Sequence, residues 1–193
     1  KNVIHAEKKI FSQIGFLPNN VKVLPIKLGD LNKLNSFQLQ DALSSDIYIV
    51  FGASFIKGWL VDFLIKNKAI NIHMGLSPYY RGSSCNFWAL YDNKPNYVGA
   101  TIHYLSKGLD SGQILFHCIP KKVLHEGSFE FTMRSVLVAQ QGLVNSIKNK
   151  KIFSIKPVSQ DKSKEIRYTI NKNFNDDVAE EFLNRNLDLD FKK

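Results

Sequence analysis

Two strand-like runs separated by one helix-length segment constrain the fold of this chain more than any other feature. Residues 46–51 form a largely apolar run that ends at Gly52, and residues 69–73 form a second one. Large apolar side chains recur at helical spacing between them, within 57–66: Trp59, Leu60, Phe63 and Leu64. Continuous apolar runs are typical of buried parallel strands, and two such strands joined by a helix form a right-handed unit. Ligands of such sheets bind beyond the carboxyl ends of the strands.

The same criteria assign most of the remaining elements. Strands are expected at 21–26, 98–105 and 113–119, and helices at 6–14, 34–43, 84–91 and 128–149. Ser83 or Ser84 is placed to cap the helix that runs to Tyr91. The last helix is expected to bury one apolar face: Met133, Val136, Leu137, Leu143, Val144 and Ile147. We therefore expect an α/β fold with a mainly parallel sheet flanked by helices.

The composition divides the chain near residue 155. Residues 1–155 contain the strand and helix patterns and are expected to form the main domain. Residues 156–193 are rich in Lys, Asn and Asp, and are expected to form a polar C-terminal extension with one short helix near 175–185. The chain opens at Lys1 on a helix-like segment rather than on a strand and a glycine-rich turn. The N-terminal part of the domain is therefore expected to be missing.

Charge and composition narrow the class of partner. The 26 Lys and Arg residues against 17 Asp and Glu residues give a net charge of +9, which favours anionic partners. These cations are scattered rather than clustered in a stripe, which argues against nucleic-acid recognition. The chain contains no apolar run long enough to span a membrane and no signal-peptide pattern. Cys85 and Cys118 lie in apolar contexts, so a cytoplasmic protein with buried thiols is expected. The sequence leaves the oligomeric state open, with a homodimer as one option.

Three polar residues at strand ends and turns indicate acyl-transfer chemistry. Asn71 and His73 share one face of the 69–73 strand because their spacing is two residues, and Asp110 lies in a turn with Gly112. An amide can donate a hydrogen bond to a developing oxyanion, and an imidazole can transfer a proton near neutral pH. A carboxylate can orient the imidazole and raise its pKa. Each residue alone is more often structural, whereas the ordered set around one strand–helix–strand unit predicts an enzyme.

A zinc site is the metal-based alternative for the same part of the chain. His73, His103, His117 and Asp110 are the candidate ligands. The histidines lack the HxxxH or HxxEH spacing that places two imidazoles on one helix face. We therefore expect no metal.

The segments around these residues resemble the signatures of folate-dependent formyltransferases. The first runs from Asn71 through Pro78 and Arg81 to Ser83, and the second from Gly99 to Ile114. The resemblance implies a Rossmann-like formyltransferase fold, with 1–155 as the catalytic domain and N10-formyltetrahydrofolate as the cofactor. It also implies that Asn71, His73 and Asp110 are the catalytic residues.

The resemblance further implies which residues enclose the pterin of the cofactor. The expected cofactor-binding residues lie in two loops: Ser54, Phe55, Ile56 and Lys57, and Ser106, Lys107, Gly108 and Leu109. One departure from the family is the motif H-x-S-L-L-P, which reads His73-Met74-Gly75-Leu76-Ser77-Pro78 here. A second departure is the tail, because 156–193 is too short and polar for the oligonucleotide-binding barrel of the methionyl-tRNA enzyme. This argues against a tRNA substrate.

The segment that follows the 69–73 strand provides the evidence on which molecule accepts the formyl group. Tyr79 and Tyr80 could stack on a base or sugar, and Arg81 could bind a phosphate, so these three are the expected substrate-binding residues. The amino-acid sequence of this segment resembles those of sugar N-formyltransferases. This resemblance implies that the substrate is a small amine such as an amino sugar. Two alternatives stay open: a formyltetrahydrofolate hydrolase with the same trio, and a non-catalytic folate-binding or RNA-binding remnant.

Overall fold

The computed structural model describes residues 1–11 and 16–185 and has an α/β architecture. Its helices are α1 (Asn2–Ile10), α2 (Gln40–Leu43), α3 (Gly58–Lys66), α4 (Cys85–Tyr91), α5 (Ser128–Lys148) and α6 (Asp176–Asn184). Its strands are β1 (Ile49–Phe51), β2 (Ile70–His73), β3 (Tyr80–Gly82), β4 (Ala100–Tyr104), β5 (Ile114–Cys118) and β6 (Arg167–Thr169). Short 3-10 turns lie at Asp30–Lys33, Pro95–Tyr97, Lys151–Phe153, Lys162–Lys164 and Asn171–Asn173. None of the helices described combines the length and the hydropathy needed to cross a bilayer.

The main sheet has the strand order β1-β2-β4-β5. Strands β1 and β2 are parallel and are joined by α3, which confirms the predicted strand–helix–strand unit. Strands β2 and β4 are antiparallel, as are β4 and β5. The α/β class with flanking helices is confirmed, and within the described residues this sheet is mixed rather than mainly parallel. The loop between β4 and β5 is too short for a crossover, so these two strands pair as a hairpin.

The two faces of the main sheet have separate apolar cores. One core includes Ile72 and Ile102 from the strands and Leu143 from α5. The other contains the buried residues of α3, with Val50 of β1 packed against them. Val50 is the register partner of Asn71, and successive residues of a strand point to opposite faces. Asn71 and His73 therefore lie on the face opposite to Ile72 and the α5 core.

Three sequence-based assignments in the first part of the chain differ from the structure. Residues 21–26 pair with no other described strand and are exposed, and Pro25 within this run lacks the backbone N–H that a ladder needs. The helix expected at 34–43 is shortened to Gln40–Leu43. The helix expected at 6–14 ends at Ile10, and residues 12–14 lie outside the described residues. Short local patterns such as these depend on tertiary partners to become regular elements.

Two further differences concern the region between β2 and α4. The sequence patterns assign no strand or helix to 75–83, whereas the structure has β3 there, which pairs in parallel with β6. Ser84 occupies the N-cap position of α4 as expected, but its side chain makes no capping hydrogen bond. Its φ angle of 55° is left-handed, whereas a capping serine has an extended backbone.

Helix α5 buries a different face from the one expected. Of the six apolar residues predicted, Leu143 is buried at 2% exposure, whereas Val144 is 45% exposed. The buried residues of the helix are Phe131, Ser135, Ala139, Leu143 and Ser146. Small residues on this face bring the helix close to the sheet, and a β-carbon at Gly142 would lie 2.8 Å from the Cys118 sulfur. Close packing thus decides the face, and hydrophobicity alone does not.

The segment after residue 155 is packed on the rest of the chain. Strand β6 pairs side by side with β3 in a two-stranded sheet, and the Arg167 guanidinium forms an ion pair with Asp92 at 2.6 Å. The short helix expected near 175–185 is confirmed as α6, and its Phe182 is buried beside Trp88. The domain boundary near 155 stays a prediction.

The corrected face of α5 is testable with two adjacent residues. Replacing Leu143 by Ala should lower the free energy of unfolding by about 2–5 kcal/mol, because it removes buried methyl groups and leaves a cavity. Val144→Ala is the matched control and should change the free energy of unfolding by less than about 0.5 kcal/mol. Urea denaturation followed by circular dichroism measures both. Equal losses in the two variants would contradict the observed orientation of the helix.

Candidate active site

Strand β2 places two of the predicted catalytic side chains on one face of the sheet. Asn71 and His73 are two residues apart and therefore project to the same side, as expected. Ile72 projects to the other side and is buried in the α5 core. His73 is itself buried. The alternation of apolar and polar residues along this short strand positions the site.

The loop between β4 and β5 brings the third predicted residue to the same place. One carboxylate oxygen of Asp110, Oδ1, lies 3.3 Å from Nδ1 of His73 and 3.4 Å from Nδ2 of Asn71. Asp110 has a φ angle of 45°, a left-handed conformation that Asp tolerates better than most residues. The structure thus brings the predicted trio together in one site, and their catalytic roles stay a prediction.

A second histidine, His103, belongs to the same cluster, although the sequence suggests it only as a zinc ligand. Its Nδ1 faces the carbonyl oxygen of Tyr104 at 2.8 Å, so Nδ1 is the protonated nitrogen. Its Nε2 lies 3.1 Å from Nδ2 of Asn71 and 3.8 Å from Oδ1 of Asp110. The signal for this residue is the pairing of Asn71 with His103 across β2 and β4. That register is a tertiary feature, which a single sequence does not contain.

His73 is held as an imidazolium. Its Nδ1 faces the Asp110 carboxylate, and its Nε2 lies 3.2 Å from the carbonyl oxygen of Tyr80. Both partners accept hydrogen bonds, so the ring is best satisfied with a proton on each nitrogen. Burial by itself would lower the pKa of His73, but Asp110 and the thiol of Cys85 raise it to about 10.

The pKa of Asp110 moves in the complementary direction. Burial would raise it, but the neighbouring imidazoles of His103 and His73 outweigh burial and hold the pKa of the carboxyl below its usual range. At neutral pH the site therefore contains a buried carboxylate beside a buried imidazolium.

The departure from the family motif has a steric explanation. A β-carbon on Gly75 would lie 2.5 Å from the Cys85 β-carbon and 2.8 Å from Nε2 of His73. The serine of the H-x-S-L-L-P motif could not occupy this position without moving the His73 imidazole or α4. Glycine at 75 therefore leaves the space that the Cys85 side chain and the His73 ring occupy.

Two adjoining cavities meet at the trio. The larger has a volume of about 420 Å³ and is lined by the end of β1, by β2 and by the start of α4, including Gly52, His73, Ser83, Ser84 and Asn86. The smaller has a volume of about 90 Å³ and lies against α3 and the β4–β5 loop, including Val61, His103 and Leu105. Ala53, Asn71, Leu109 and Asp110 line both cavities. Asn71 and Asp110 thus lie between the two cavities, and His73 faces the larger one.

Most of the predicted cofactor-binding residues border the smaller cavity. These are Ser54, Phe55, Ile56, Ser106, Gly108 and Leu109. Lys57 and Lys107 do not line it. The backbone nitrogen of Lys57 donates to Asn32 at 2.7 Å, and the Lys107 ammonium pairs with Asp62 at 2.8 Å on the surface.

The predicted substrate-binding residues line neither of these two cavities. Tyr79 stacks edge-on against Tyr97. Tyr80 is 1% exposed, and its hydroxyl donates to Asp92 at 2.9 Å. The Arg81 guanidinium donates to Glu165 at 2.8 Å and to the carbonyl oxygen of Leu109 at 3.1 Å. Their contact with a substrate stays a prediction, and all three have structural partners in this structure.

A metal site finds no support in the described part of the chain. Within residues 1–11 and 16–185, no group of three His, Cys, Asp or Glu side chains has an arrangement that could hold a metal ion. His117, the remaining ligand of the zinc alternative, instead faces the carbonyl oxygen of Ser77 at 2.8 Å.

Solved structures with a similar fold are formyltransferases. The N-formyltransferase from Helicobacter canadensis matches with a TM-score of 0.59 at 17% identity, over 90% of this chain and 68% of that chain. The formyltransferase PseJ from Anoxybacillus kamchatkensis matches with a TM-score of 0.57 at 22% identity, over 79% of this chain and 72% of that chain. At these identities the likeness establishes the fold, which is the Rossmann-like formyltransferase fold expected from the sequence.

Curated relatives are methionyl-tRNA formyltransferases. The enzyme of Finegoldia magna is 33% identical over 122 residues, which cover 58% of this chain and 38% of that protein. The enzyme of Caldicellulosiruptor saccharolyticus is 30% identical over 131 residues, which cover 66% of this chain and 40% of that protein. The chain thus matches about two fifths of the length of these relatives.

The family model for formyl transferases matches residues 36–147, a segment that includes Asn71, His73 and Asp110. This segment is more than half of the chain and contains β1 to β5 with most of α5. The chain belongs to the formyl transferase family.

Proposed function

We propose that this chain transfers a formyl group from N10-formyltetrahydrofolate to a primary amine of an amino sugar or a similar small molecule. One observation carries the proposal. Asp110 lies within 3.4 Å of both Asn71 and His73, and Asp110 and Asn71 line both of two adjoining cavities. A transfer between two bound molecules needs both to meet at the same polar groups.

The residues of the smaller cavity fit a folate. Ile56, Val61 and Leu105 give it apolar walls, and the Ser106–Leu109 stretch offers backbone polar groups at its rim. Its volume of about 90 Å³ is small for a whole ligand, but it continues into the 420 Å³ cavity. Together they reach the range of about 300–1,000 Å³ that is usual for small-molecule sites. When bound, the folate supplies an activated formyl group, and Ser54 to Ile56 with Ser106, Gly108 and Leu109 would hold it.

His73 supplies positive charge where negative charge develops. In acyl transfer the formyl oxygen gains negative charge as the amine attacks. A buried imidazolium beside that oxygen stabilises the charge without reorganisation, because Asp110 and Tyr80 already fix the ring. A ring proton of the His73 imidazolium can later pass to the departing nitrogen of the folate.

Asn71 supplies a neutral donor to the same oxygen. Its Nδ2 is shared between His103 at 3.1 Å and Asp110 at 3.4 Å. The longer of these two contacts is weak, so the amide can redirect that hydrogen to the formyl oxygen. His103 meanwhile keeps the amide in place through the shorter contact.

Asp110 fixes the charge state of the site and faces the attacking amine. Its carboxylate keeps His73 protonated, and it lines both cavities. A carboxylate at that junction can accept the proton that the amine loses, directly or through one water molecule.

An amino-sugar acceptor is supported by the lining of the larger cavity and by the fold relatives. Ser83 and Ser84 offer hydroxyl groups that suit a polyol or a nucleotide-linked sugar. The Anoxybacillus kamchatkensis protein was solved in complex with UDP-4,6-dideoxy-4-formamido-L-AltNAc and tetrahydrofolate. We place the reaction in the cytoplasm, where the buried free thiols Cys85 and Cys118 would stay reduced.

A turnover assay tests the proposed function. The chain is incubated with N10-formyltetrahydrofolate and a panel of nucleotide-linked amino sugars, and products are identified by mass spectrometry. Formylated sugar that depends on both substrates is the expected result. Formate released equally without an amine would indicate a hydrolase instead. Folate binding in calorimetry without any turnover would indicate a binding remnant, and salt-sensitive RNA binding with no folate binding would indicate the other alternative.

Asp110→Asn tests the role of the carboxylate without changing its size. Asn also tolerates the left-handed backbone at this position. We expect kcat to fall roughly 100-fold or more while the dissociation constant for the folate changes little, because the charge acts mainly in the transition state. Asp46→Asn, at an exposed aspartate before β1, is the control and should leave kcat unchanged. A near-normal kcat in Asp110→Asn would exclude the assigned role.

The raised pKa of His73 predicts a specific pH dependence of stability. The folded-state pKa is about 10 against 6.5 for the free side chain. A raised pKa stabilises the fold fully below the unfolded value and loses this contribution as pH rises through the folded value. The difference in free energy of unfolding between the wild type and His73→Gln should therefore be largest near pH ~6 and shrink towards pH ~10.

Urea denaturation at several pH values measures this difference. His5→Gln, at an exposed histidine of α1, is the matched control and should show no comparable trend. A difference that grows with pH would mean that His73 is neutral in the folded protein.

A further inference from the structure

We infer that Gln160, in the segment after the formyl transferase match, is a positioning residue that holds Asp110 in its catalytic conformation. The inference deepens the proposed function, and its kinetic test rests on that function. Two segments of the chain contact one another here, and we call them the Asp110 loop (residues 105–113) and the tail segment (residues 156–169).

The Asp110 loop needs an external support. Asp110 is the residue of this loop with a left-handed φ angle, at 45°. Such a backbone is unfavourable in a residue other than glycine and persists only where its surroundings enforce it. The loop lies at the edge of the site, and Lys107 to Leu109 are exposed. The apolar core therefore does little to fix this part of the chain.

The tail segment reaches the loop by continuing the sheet for one step. Val158 and Ile114 exchange two backbone hydrogen bonds of 2.8 Å in an antiparallel bridge. Antiparallel register then places Gln160 opposite Gly112. Beyond the Val158–Ile114 bridge, the backbone hydrogen bonds between the two segments do not continue. Instead, the side-chain amide of Gln160 donates to the backbone of the Asp110 loop.

The amide of Gln160 donates to two carbonyl oxygens that flank the turn. Its Nε2 lies 2.8 Å from the carbonyl oxygen of Asp110 and 2.7 Å from that of Gly112. Both partners accept only, so the orientation of the amide is fixed by them. Gln160 Oε1 is buried and has no hydrogen-bond partner among the described residues. A buried acceptor without a partner is unfavourable, which indicates that the two donated bonds determine this placement.

A second contact from the tail segment acts on the other side of Asp110. Glu165 binds the Arg81 guanidinium at 2.8 Å, and Arg81 in turn donates to the carbonyl oxygen of Leu109 at 3.1 Å. The Arg81 side chain is only 11% exposed. The carbonyl groups of residues 109, 110 and 112 are thus all bound through contacts that begin in the tail segment. This arrangement gives the tail segment a role in the active site although it lies outside residues 36–147.

The test is the titration of the His73 imidazole by nuclear magnetic resonance in the whole 193-residue chain. Gln160→Met keeps the length of the side chain but removes both donors. If Gln160 positions Asp110, the variant should lower the His73 pKa by about 1 pH unit or more, since Asp110 supports that proton. It should also lower kcat about 10-fold or more with little change in KM. Gln113→Met, at an exposed glutamine beside Gly112, is the matched control and should change neither.

The outcomes separate this inference from the proposed function. A lowered His73 pKa in Gln160→Met supports the positioning role even if no amine is formylated by the wild type. An unchanged His73 pKa in the folded variant overturns it even if the wild type is an active formyltransferase.

If Gln160→Met does not fold, the wild-type protein itself provides the test. The side-chain amide protons of Gln160 should exchange with solvent at least about 10-fold more slowly than those of Gln113, because both are bonded at a buried position. Equal exchange rates would overturn the inference.

Discussion

The contact between the Asp110 carboxylate and the His73 imidazole is the interaction on which the rest of the site depends. Both side chains are nearly buried, and their atoms lie 3.3 Å apart. A buried charge without its partner costs about 3–5 kcal/mol, so each group is stable only beside the other. Tyr80 completes the arrangement by placing its carbonyl oxygen at the second nitrogen of the ring. The pair therefore stabilises the fold, and it also keeps the His73 imidazole protonated at neutral pH.

Four separate parts of the chain converge to make this contact possible. Strand β2 supplies His73 and Asn71, β4 supplies His103, the Asp110 loop supplies the carboxylate, and the tail segment holds that loop. The strands fix two of these positions rigidly, whereas the loop is fixed by polar contacts. The family match ends at residue 147, whereas the contacts that hold the Asp110 loop continue beyond it.

The reliability of the sequence-based predictions followed the strength of the local pattern. Helix α3 and strand β2 agree with prediction because their apolar residues repeat at one period and pack on the expected partners. The strand expected at 21–26 is wrong because alternation alone provides no pairing partner. The buried face of α5 was misjudged because the strands approach this helix closely. Ser135, Ala139 and Ser146 fit that distance, whereas Val144 points to solvent.

The sequence by itself determined the strand–helix–strand unit, the shared face of Asn71 and His73, and the resemblance of two motifs to formyltransferases. These follow from local periodicity and from the spacing of polar residues along one strand. Only the tertiary structure decided that His103 joins the cluster, that Gly75 must accommodate Cys85, and that Gln160 bonds the Asp110 loop. Each of these depends on a distance between residues far apart in the chain, and such distances are set by strand register and close packing, which no local pattern encodes.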